Sequence, residues 1–137
     1  MADYLSPGEV VRRSGFTLDT LRYYERIGLL DHVERGPGGR RRFAARDLEW
    51  LNVVRYLRDT GMPISQLLRY AALTRAGEES VPERLALLVE HEARVTEHIA
   101  TLKRQREQIR QKIGWYRAAQ GNGALPRGHL ADLAAHR

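Results

Sequence analysis

Apolar residues recur at helical spacing along most of this chain, and short clusters of glycine, proline and hydroxyl residues interrupt them. Between residues 17 and 28, a step of about 100° per residue puts Leu18, Leu21, Tyr24 and Glu25 on one side. Asp19, Arg22, Tyr23 and Arg26 fall on the other. Thr17 predicts an N-cap, because its hydroxyl can accept a backbone N–H that the first turn leaves over. Gly28 can take the left-handed conformation that ends a helix. Ahead of this stretch, Ser6-Pro7-Gly8-Glu9 reads as a capping box with proline at the first helical position, opening a helix that runs to Ser14-Gly15. Leu5, at the end of a short lead, is placed as a hydrophobic staple. Helix, glycine turn and a second helix with a polar outer face form a helix-turn-helix signal. That outer face carries donors suited to phosphates and base edges.

Leu29 and Leu30 return the chain to the core. Gly36-Pro37-Gly38-Gly39 then forbids a helix and suits a tight β-hairpin over residues 35–43. A glycine tip backed by Arg40, Arg41 and Arg42 and followed by Phe43 predicts a wing that tracks the sugar–phosphate edge, with an exposed basic loop as the alternative. Residues 44–59 form the next helix, with Leu48, Leu51, Val54 and Leu57 at helical spacing and Gly61 as its stop. Pro63 starts another, buried through Ile64, Leu67, Leu68 and Ala71, so residues 58–63 connect a second helix-turn-helix. Trp50, Tyr56 and Tyr70 suit core or interface positions.

Arg75-Ala76-Gly77-Glu78-Glu79 reads as a polar hinge, and Ser80-Val81-Pro82-Glu83 as a second capping box that opens a long helix. Its core positions are Leu85, Leu88, Glu92, Val95, Ile99, Leu102, Arg106, Ile109, Ile113 and Tyr116. Steps of three and four alternate along them, the heptad pattern of a coiled coil. One such helix could not stand alone in water, so it needs a partner. Charge sets the direction. Residues 78–97 hold six glutamates against Arg84 and Arg94, and residues 103–117 hold six basic side chains against Glu107. A parallel pair would stack like charges, whereas an antiparallel pair sets acidic against basic. With a crossing near residue 97, Leu88 faces the second copy's position 106 and Glu92 faces its position 102. Gln120-Gly121-Asn122-Gly123 then reads as a flexible linker into a short tail.

At 137 residues the chain should hold one domain, or a small domain with an appendage. Hydrophobic and charged contents of 42% and 29% fit a soluble folded protein. Neither a bilayer-spanning apolar run nor a signal peptide before Ser6 is visible, so a cytoplasmic location is expected. The formal charge of +6, carried almost wholly by arginine, favours a polyanionic partner, although an arginine-rich composition can also reflect a GC-rich genome. The absence of cysteine excludes disulfides, thiolate metal sites and iron–sulfur clusters. His91 and His98 lie too far apart along a helix to chelate, and His32, His129 and His136 are isolated. All five read as surface histidines, and neither metal nor cofactor is expected. No nucleophile–base set appears, and the glycine segment lacks the lysine of a phosphate loop, so no enzyme is expected.

The ordered set of tokens resembles the MerR family of bacterial transcription regulators. The match runs through Glu9-Val10, Gly15, Thr20-Leu21-Arg22-Tyr23-Tyr24-Glu25, Ile27-Gly28-Leu29-Leu30, Arg41, Asp47-Leu48, Leu57-Arg58 and Gly61 to Ile64. It covers roughly residues 5–119. The resemblance implies a mainly α fold, with an N-terminal winged helix-turn-helix (1–76), a dimerisation helix forming an antiparallel coiled coil (77–119) and a flexible tail (120–137). It implies DNA contacts from Thr17, Asp19, Thr20, Arg22, Tyr23, Arg26, Arg40, Arg41, Arg42, Phe43 and Arg58. In the family the wing strand carries aromatic, arginine, aromatic. Here Arg40 replaces the first aromatic, Arg41 matches the arginine and Phe43 stands for the last. Double-stranded promoter DNA, a second copy of the chain and RNA polymerase on the same promoter are the implied partners, with no membrane. The chain is most similar to the short regulators that answer aldehyde and nitrosative stress, through Asp47-Leu48-Glu49-Trp50-Leu51, Gly61-Met62-Pro63-Ile64 and Gln111-Lys112-Ile113. Tyr56 stands where several of those carry a cysteine, so thiol sensing cannot operate and the effector stays open. An architectural, excisionase-like DNA-bending protein is the alternative. The complete coil favours the regulator.

Overall fold

The computed structural model describes residues 4–31, 35–39 and 42–122. Strand β1 (Tyr4–Leu5) leads into helix α1 (Pro7–Ser14), and helix α2 (Leu18–Ile27) follows. Strand β2 (Phe43–Ala44) precedes helices α3 (Ala45–Asp59), α4 (Ile64–Arg75) and α5 (Val81–Asn122). Each early helix starts where its cap chemistry requires. The Ser6 hydroxyl oxygen accepts the Glu9 N–H at 3.2 Å, and its O–H reaches the Glu9 carboxylate at 3.3 Å. Thr17 accepts the Thr20 N–H at 3.1 Å. For α3, the Asp47 carboxylate accepts the N–H of Ala44 at 2.8 Å, so the cap is made from the third position inward.

The chain divides into two compact units, one reaching Glu92 and the other beginning at Ala93. In the first, the expected faces turn inward. Leu21 and Tyr24 of α2, Leu29 and Leu30 after it, Leu48, Leu51, Val54 and Leu57 of α3, and Leu67 and Ala71 of α4 are all buried. Leu5 packs against this core as the staple predicts, and Leu87 and Leu88 of α5 close it from the other end of the unit. Trp50 stacks on Tyr70 with ring centroids 5.7 Å apart, and its indole N–H donates to the Leu29 carbonyl at 2.7 Å. In the second unit, α5 continues as helix to Asn122, past the expected end of the coil at residue 119. Among the described residues no helix is long and apolar enough to cross a membrane.

Several expectations are corrected. The lead is a strand: Tyr4 pairs with Ala44 and Leu5 with Phe43, antiparallel. Two residues are too few to show a period of two, so the pairing left no pattern in the sequence. Within the expected hairpin, Pro37–Gly39 is a 3-10 turn in which Gly38 and Gly39 have φ of +85° and +77°. Residues 40 and 41 lie outside those described. Ile64 is 42% exposed, because the first turn of α4 overhangs the core that Leu67 enters. Tyr56 is 57% exposed and so is no core residue. His91 is buried, its Nε2 meeting the Thr60 hydroxyl at 2.8 Å, rather than a surface histidine. His98 is exposed as expected, while His32, His129 and His136 lie outside the described residues, as does the tail beyond Asn122.

The expected hinge is a tied joint. Ser80 is buried in a 3-10 turn (Glu78–Ser80), and its hydroxyl faces the carbonyls of Leu73 and Gly77. The second capping box is therefore replaced by a bond back to α4. Arg84 then reaches the Ser80 hydroxyl at 3.0 Å and the Gly77 carbonyl at 2.9 Å.

The contrast between Ile64 and Leu67 can be measured. Leu67→Ala should destabilise by about 2–5 kcal/mol, the range for emptying a packed core site. Ile64→Ala should cost below about 1 kcal/mol, because its side chain is only partly withdrawn from water. Urea unfolding midpoints at constant slope report both. Equal losses would mean that Ile64 is buried in solution.

Candidate nucleic-acid interface

The geometry of this surface is set by the turn between α1 and α2. Gly15 caps α1 with φ +79°, and its N–H donates to the Val11 carbonyl at 3.0 Å. The buried Ser14 hydroxyl accepts the Phe16 N–H at 3.2 Å, which directs the Phe16 ring into the core. There Phe16 meets Tyr24 edge to face at 5.3 Å. With Phe16 and Tyr24 inside, the opposite face of α2 must point outward. Asp19, Arg22, Tyr23 and Arg26 are exposed on it, and Thr17 and Thr20 sit at its leading end. The Thr17 hydroxyl also donates to the Thr20 hydroxyl at 2.9 Å, so the first turn presents an ordered pair of oxygens.

The arginines of this face are held. Arg22 lies 3.6 Å from the Asp19 carboxylate, and the Arg26 guanidinium sits 5.3 Å from the Tyr23 ring centroid. Tyr23 leans on Tyr24 at 6.1 Å, Tyr24 on Phe16, and Arg58 of α3 lies 5.6 Å over the Phe16 ring. An aromatic row thus runs through the turn with a guanidinium at each end. Stacking on a ring leaves the in-plane N–H edge of a guanidinium turned away, the edge that pairs with phosphate or guanine.

Two grooves flank α2. One, about 310 Å³, is lined by Thr20, Tyr23, Arg58, Met62 and Ile64 among others. The other, about 560 Å³, lies between the start of α1, Leu18, Arg22, Arg35 and Gly39. In the second, Arg35 donates to the Gly39 carbonyl at 2.8 Å and so fixes the 3-10 turn. A ridge of polar side chains with an arginine in each flanking groove has the shape and charge suited to a helix lying between two phosphate backbones.

The structure thus brings together Thr17, Asp19, Thr20, Arg22, Tyr23 and Arg26, with Arg58 beside them. Arg42 stands apart from that row, just before β2, its guanidinium 4.0 Å over the Tyr4 ring. Phe43 is corrected: at 1% exposure its ring belongs to the core, and no DNA can reach it. The alternation along β2 turns Phe43 inward where the sequence expectation placed it on the wing. Arg40 and Arg41 lie outside the described residues. Sequence reasoning passed over Arg35, Arg55 and Arg75. A lone arginine before a glycine run was the one available signal for Arg35, and the bonds of Arg55 to the Ser14 carbonyl and of Arg75 to the Gly28 carbonyl are tertiary contacts with no local signal.

Of the expected dimer positions, Leu85, Glu92, Ile99, Leu102, Arg106, Ile109, Ile113 and Tyr116 are exposed and Val95 is partly covered. Leu88 is half-buried against the core of its own first unit.

The comparisons agree with this arrangement. The family model described as MerR HTH family regulatory protein matches residues 5–73, and one described as MerR, DNA binding matches residues 48–112. The chain is 33% identical over 125 residues to an uncharacterized HTH-type transcriptional regulator of Haemophilus influenzae, covering 91% of this chain and 93% of that protein. It is 34% identical over 89 residues to the HTH-type transcriptional regulator AdhR of Bacillus subtilis, covering 65% of this chain and 64% of AdhR. The crystal structure of HiNmlR, a MerR family regulator lacking the sensor domain and bound to promoter DNA, is similar with a TM-score of 0.80 at 33% identity. That match covers 89% of this chain and 97% of HiNmlR. A MerR family regulator from Bacillus thuringiensis is similar with a TM-score of 0.74 at 29% identity, covering 82% of this chain and 98% of the other.

Two glycines test how the turn is held. Gly15 and Gly28 share a left-handed φ, but a Cβ on Gly15 would fall 1.4 Å from Nη1 of Arg55, whereas one on Gly28 meets nothing within 4 Å. Gly28→Ala should cost about 1 kcal/mol for the conformation alone. Gly15→Ala should cost about 1 kcal/mol more, because the displaced Arg55 loses its bond to the Ser14 carbonyl. Chemical denaturation of the two variants gives the difference, and a difference of zero would mean that Arg55 finds an equivalent seat.

Proposed function

The chain belongs to the MerR family of helix-turn-helix proteins and is a DNA-binding transcriptional regulator of that type, and we propose that it works as a homodimer on a pseudo-palindromic promoter spacer. The observation that carries the DNA contact is the polar ridge of α2 between its two arginine-bearing grooves. Asp19 and Thr20 read bases from the start of the helix, while Arg22, Arg26, Arg58 and the wing arginines Arg40, Arg41 and Arg42 hold phosphates. HiNmlR, at 33% identity, is itself bound to promoter DNA, which supports the same target here. The protein acts in the cytoplasm and catalyses no reaction.

The homodimer rests on α5. Leu85, Ile99, Leu102, Ile109 and Ile113 are between 41% and 60% exposed on a single chain, an apolar stripe that water would not tolerate along one helix. A second copy running antiparallel covers it and sets the six glutamates of residues 78–97 against the six cations of residues 103–117. In this reading, residues 1–76 bind DNA and 77–119 dimerise.

A dimer of fixed span grips phosphates on both flanks of its site. If the span is shorter than relaxed B-DNA presents, the centre bends and untwists at a cost of order 1–6 kcal/mol, offset by the flanking contacts. This brings the −35 and −10 elements of an overlong spacer onto one face for RNA polymerase. Tyr56 stands where several members of the stress-responsive subgroup carry a cysteine and the sequence has none, so any effector acts without covalent thiol sensing by this chain, and the Gly77–Ser80 joint offers it a defined point of purchase.

The test is to shorten the spacer of the protein's own promoter to the standard length. The shortened promoter should fire without the protein and be repressed by it; activation that survives the shortening would sink spacer distortion as the mechanism. The coil has its own measurement. With a crossing near residue 97, spin labels at Glu83→Cys lie about 28 residues of rise apart, roughly 42 Å, against about 20 Å for a parallel pair. The substitution removes only an exposed 3.4 Å pair with Arg69. A short distance would refute the antiparallel coil.

A further inference from the structure

Two arginines outside the DNA-facing surface tie the ends of both helices of the first helix-turn-helix. Arg75, the last residue of α4, donates from Nη2 to the Gly28 carbonyl at 2.6 Å and from Nε to the Asp31 carboxylate at 2.7 Å. Gly28 caps α2, where carbonyls lack helical partners and the helix dipole is negative. At the other helix, Arg55 of α3 donates from Nη1 to the Ser14 carbonyl, at the end of α1, at 2.7 Å. Gly15 is the cradle for that approach, since any Cβ there would occupy the guanidinium's place. The C-terminal end of each helix of the motif is thus held by a guanidinium from α3 or α4.

We propose that Arg75, seconded by Arg55, is a positioning residue for base recognition, fixing the direction of α2 rather than touching DNA. The inference rests on the reading of α2 as the recognition helix. Packing of Leu21 and Tyr24 holds α2 to the core, but apolar contact is non-directional and leaves rotation and sliding along the axis soft. A short charge-assisted bond at one end is directional and removes that freedom. Base edges demand it, because a reading side chain must be held to within about 0.5 Å and 10–20°. Phosphate attraction does not, since it acts at long range and without fixed angles. The clamp is itself anchored: the Gly77 N–H donates to the Thr74 carbonyl at 3.3 Å, and Arg84 holds the Gly77 carbonyl from the start of α5. Recognition helix, α4 and the first turn of α5 are therefore linked through two guanidinium groups in series.

The experiment uses the full chain, with the duplex that the wild-type protein selects from random DNA and a scrambled duplex of equal length. Arg75→Gln should weaken binding to the selected duplex by about tenfold and to the scrambled one by about twofold or less, leaving the salt slope on the selected duplex unchanged. Arg75→Lys should fall between, because an ammonium cannot serve both acceptors in one plane. Equal losses on the two duplexes, or a slope reduced by about 1, would make Arg75 a phosphate contact and overturn the proposal. So would full discrimination with a lowered melting temperature, which would leave the arginine a purely structural role. If Arg75→Gln does not fold, Asp31→Asn carries the test: it keeps the Gly28 bond but removes the negative charge that holds the guanidinium from its other side, and should lower discrimination by about threefold. No change there overturns the clamp. A wild-type protein that selects no sequence would instead overturn the reading of α2, an outcome separable from both.

Discussion

The structure depends on the chain reversing between α1 and α2 within Gly15, Phe16 and Thr17. Each residue of that turn has one task. Gly15 takes a φ that costs other residues about 1 kcal/mol or more, and leaves room for the Arg55 guanidinium. Phe16 drops into the core because the Ser14 hydroxyl has already turned its N–H. Thr17 then starts α2 at a fixed residue, and at 3.6 residues per turn a fixed start decides which side chains face out. Moving that start by one residue would rotate Arg22 toward the core and Tyr24 toward solvent. The polar ridge follows from the turn as much as from the sequence of α2.

What could be seen in the sequence was whatever had a period or a local cap. Thr17, Gly28 and the buried face of α3 belong to that class, since each depends on residues within one or two turns. The ends of α5 do not, for Ser80 bonds back to α4 and the helix runs on through Gln120, Gly121 and Asn122, which read as a linker. Nor do Phe43 and Tyr4. Their two-residue strands are made by pairing across almost forty positions, with no repeat to mark them. Ile64 looked buried because it continues the spacing of Leu67 and Ala71, but a helix's first turn can overhang its core. His91 read as a surface histidine because no chelating partner stands near it along α5. Thr60, at the end of α3, is what takes it inside. In each of these cases the deciding contact came from a distant element.

The heptad along α5 shows the same limit in another form. Leu88 fits the coil register, yet it packs with Leu87 on the core of its own unit. The first turns of α5 have two neighbours to satisfy, and a single repeat cannot say which claims a given leucine. Beyond Glu92 the ambiguity ends, because Ile99, Leu102, Ile109 and Ile113 are left half-exposed. This division suits an antiparallel partner. Val81, Leu85 and Val89 remain outside after Leu87 and Leu88 turn in, and in the proposed dimer they would be covered by the end of the other helix.

Arginine content is consequently a poor measure of how this protein meets DNA. The formal charge of +6 counts every guanidinium alike, but the structure sorts them by what they touch. Arg26 and Arg58 rest on aromatic faces at the outer surface, with nothing in that contact to neutralise their charge. Arg55, Arg75 and Arg84 are engaged with the backbone carbonyls of Ser14, Gly28 and Gly77. A guanidinium suits both tasks for one reason: its planar fork of donors accepts either a phosphate or the carbonyls at the end of a helix. Lysine would supply the first contact and only part of the second. An arginine-rich composition can therefore build the reading surface and brace it with the same side chain, and only position in the fold tells the two uses apart.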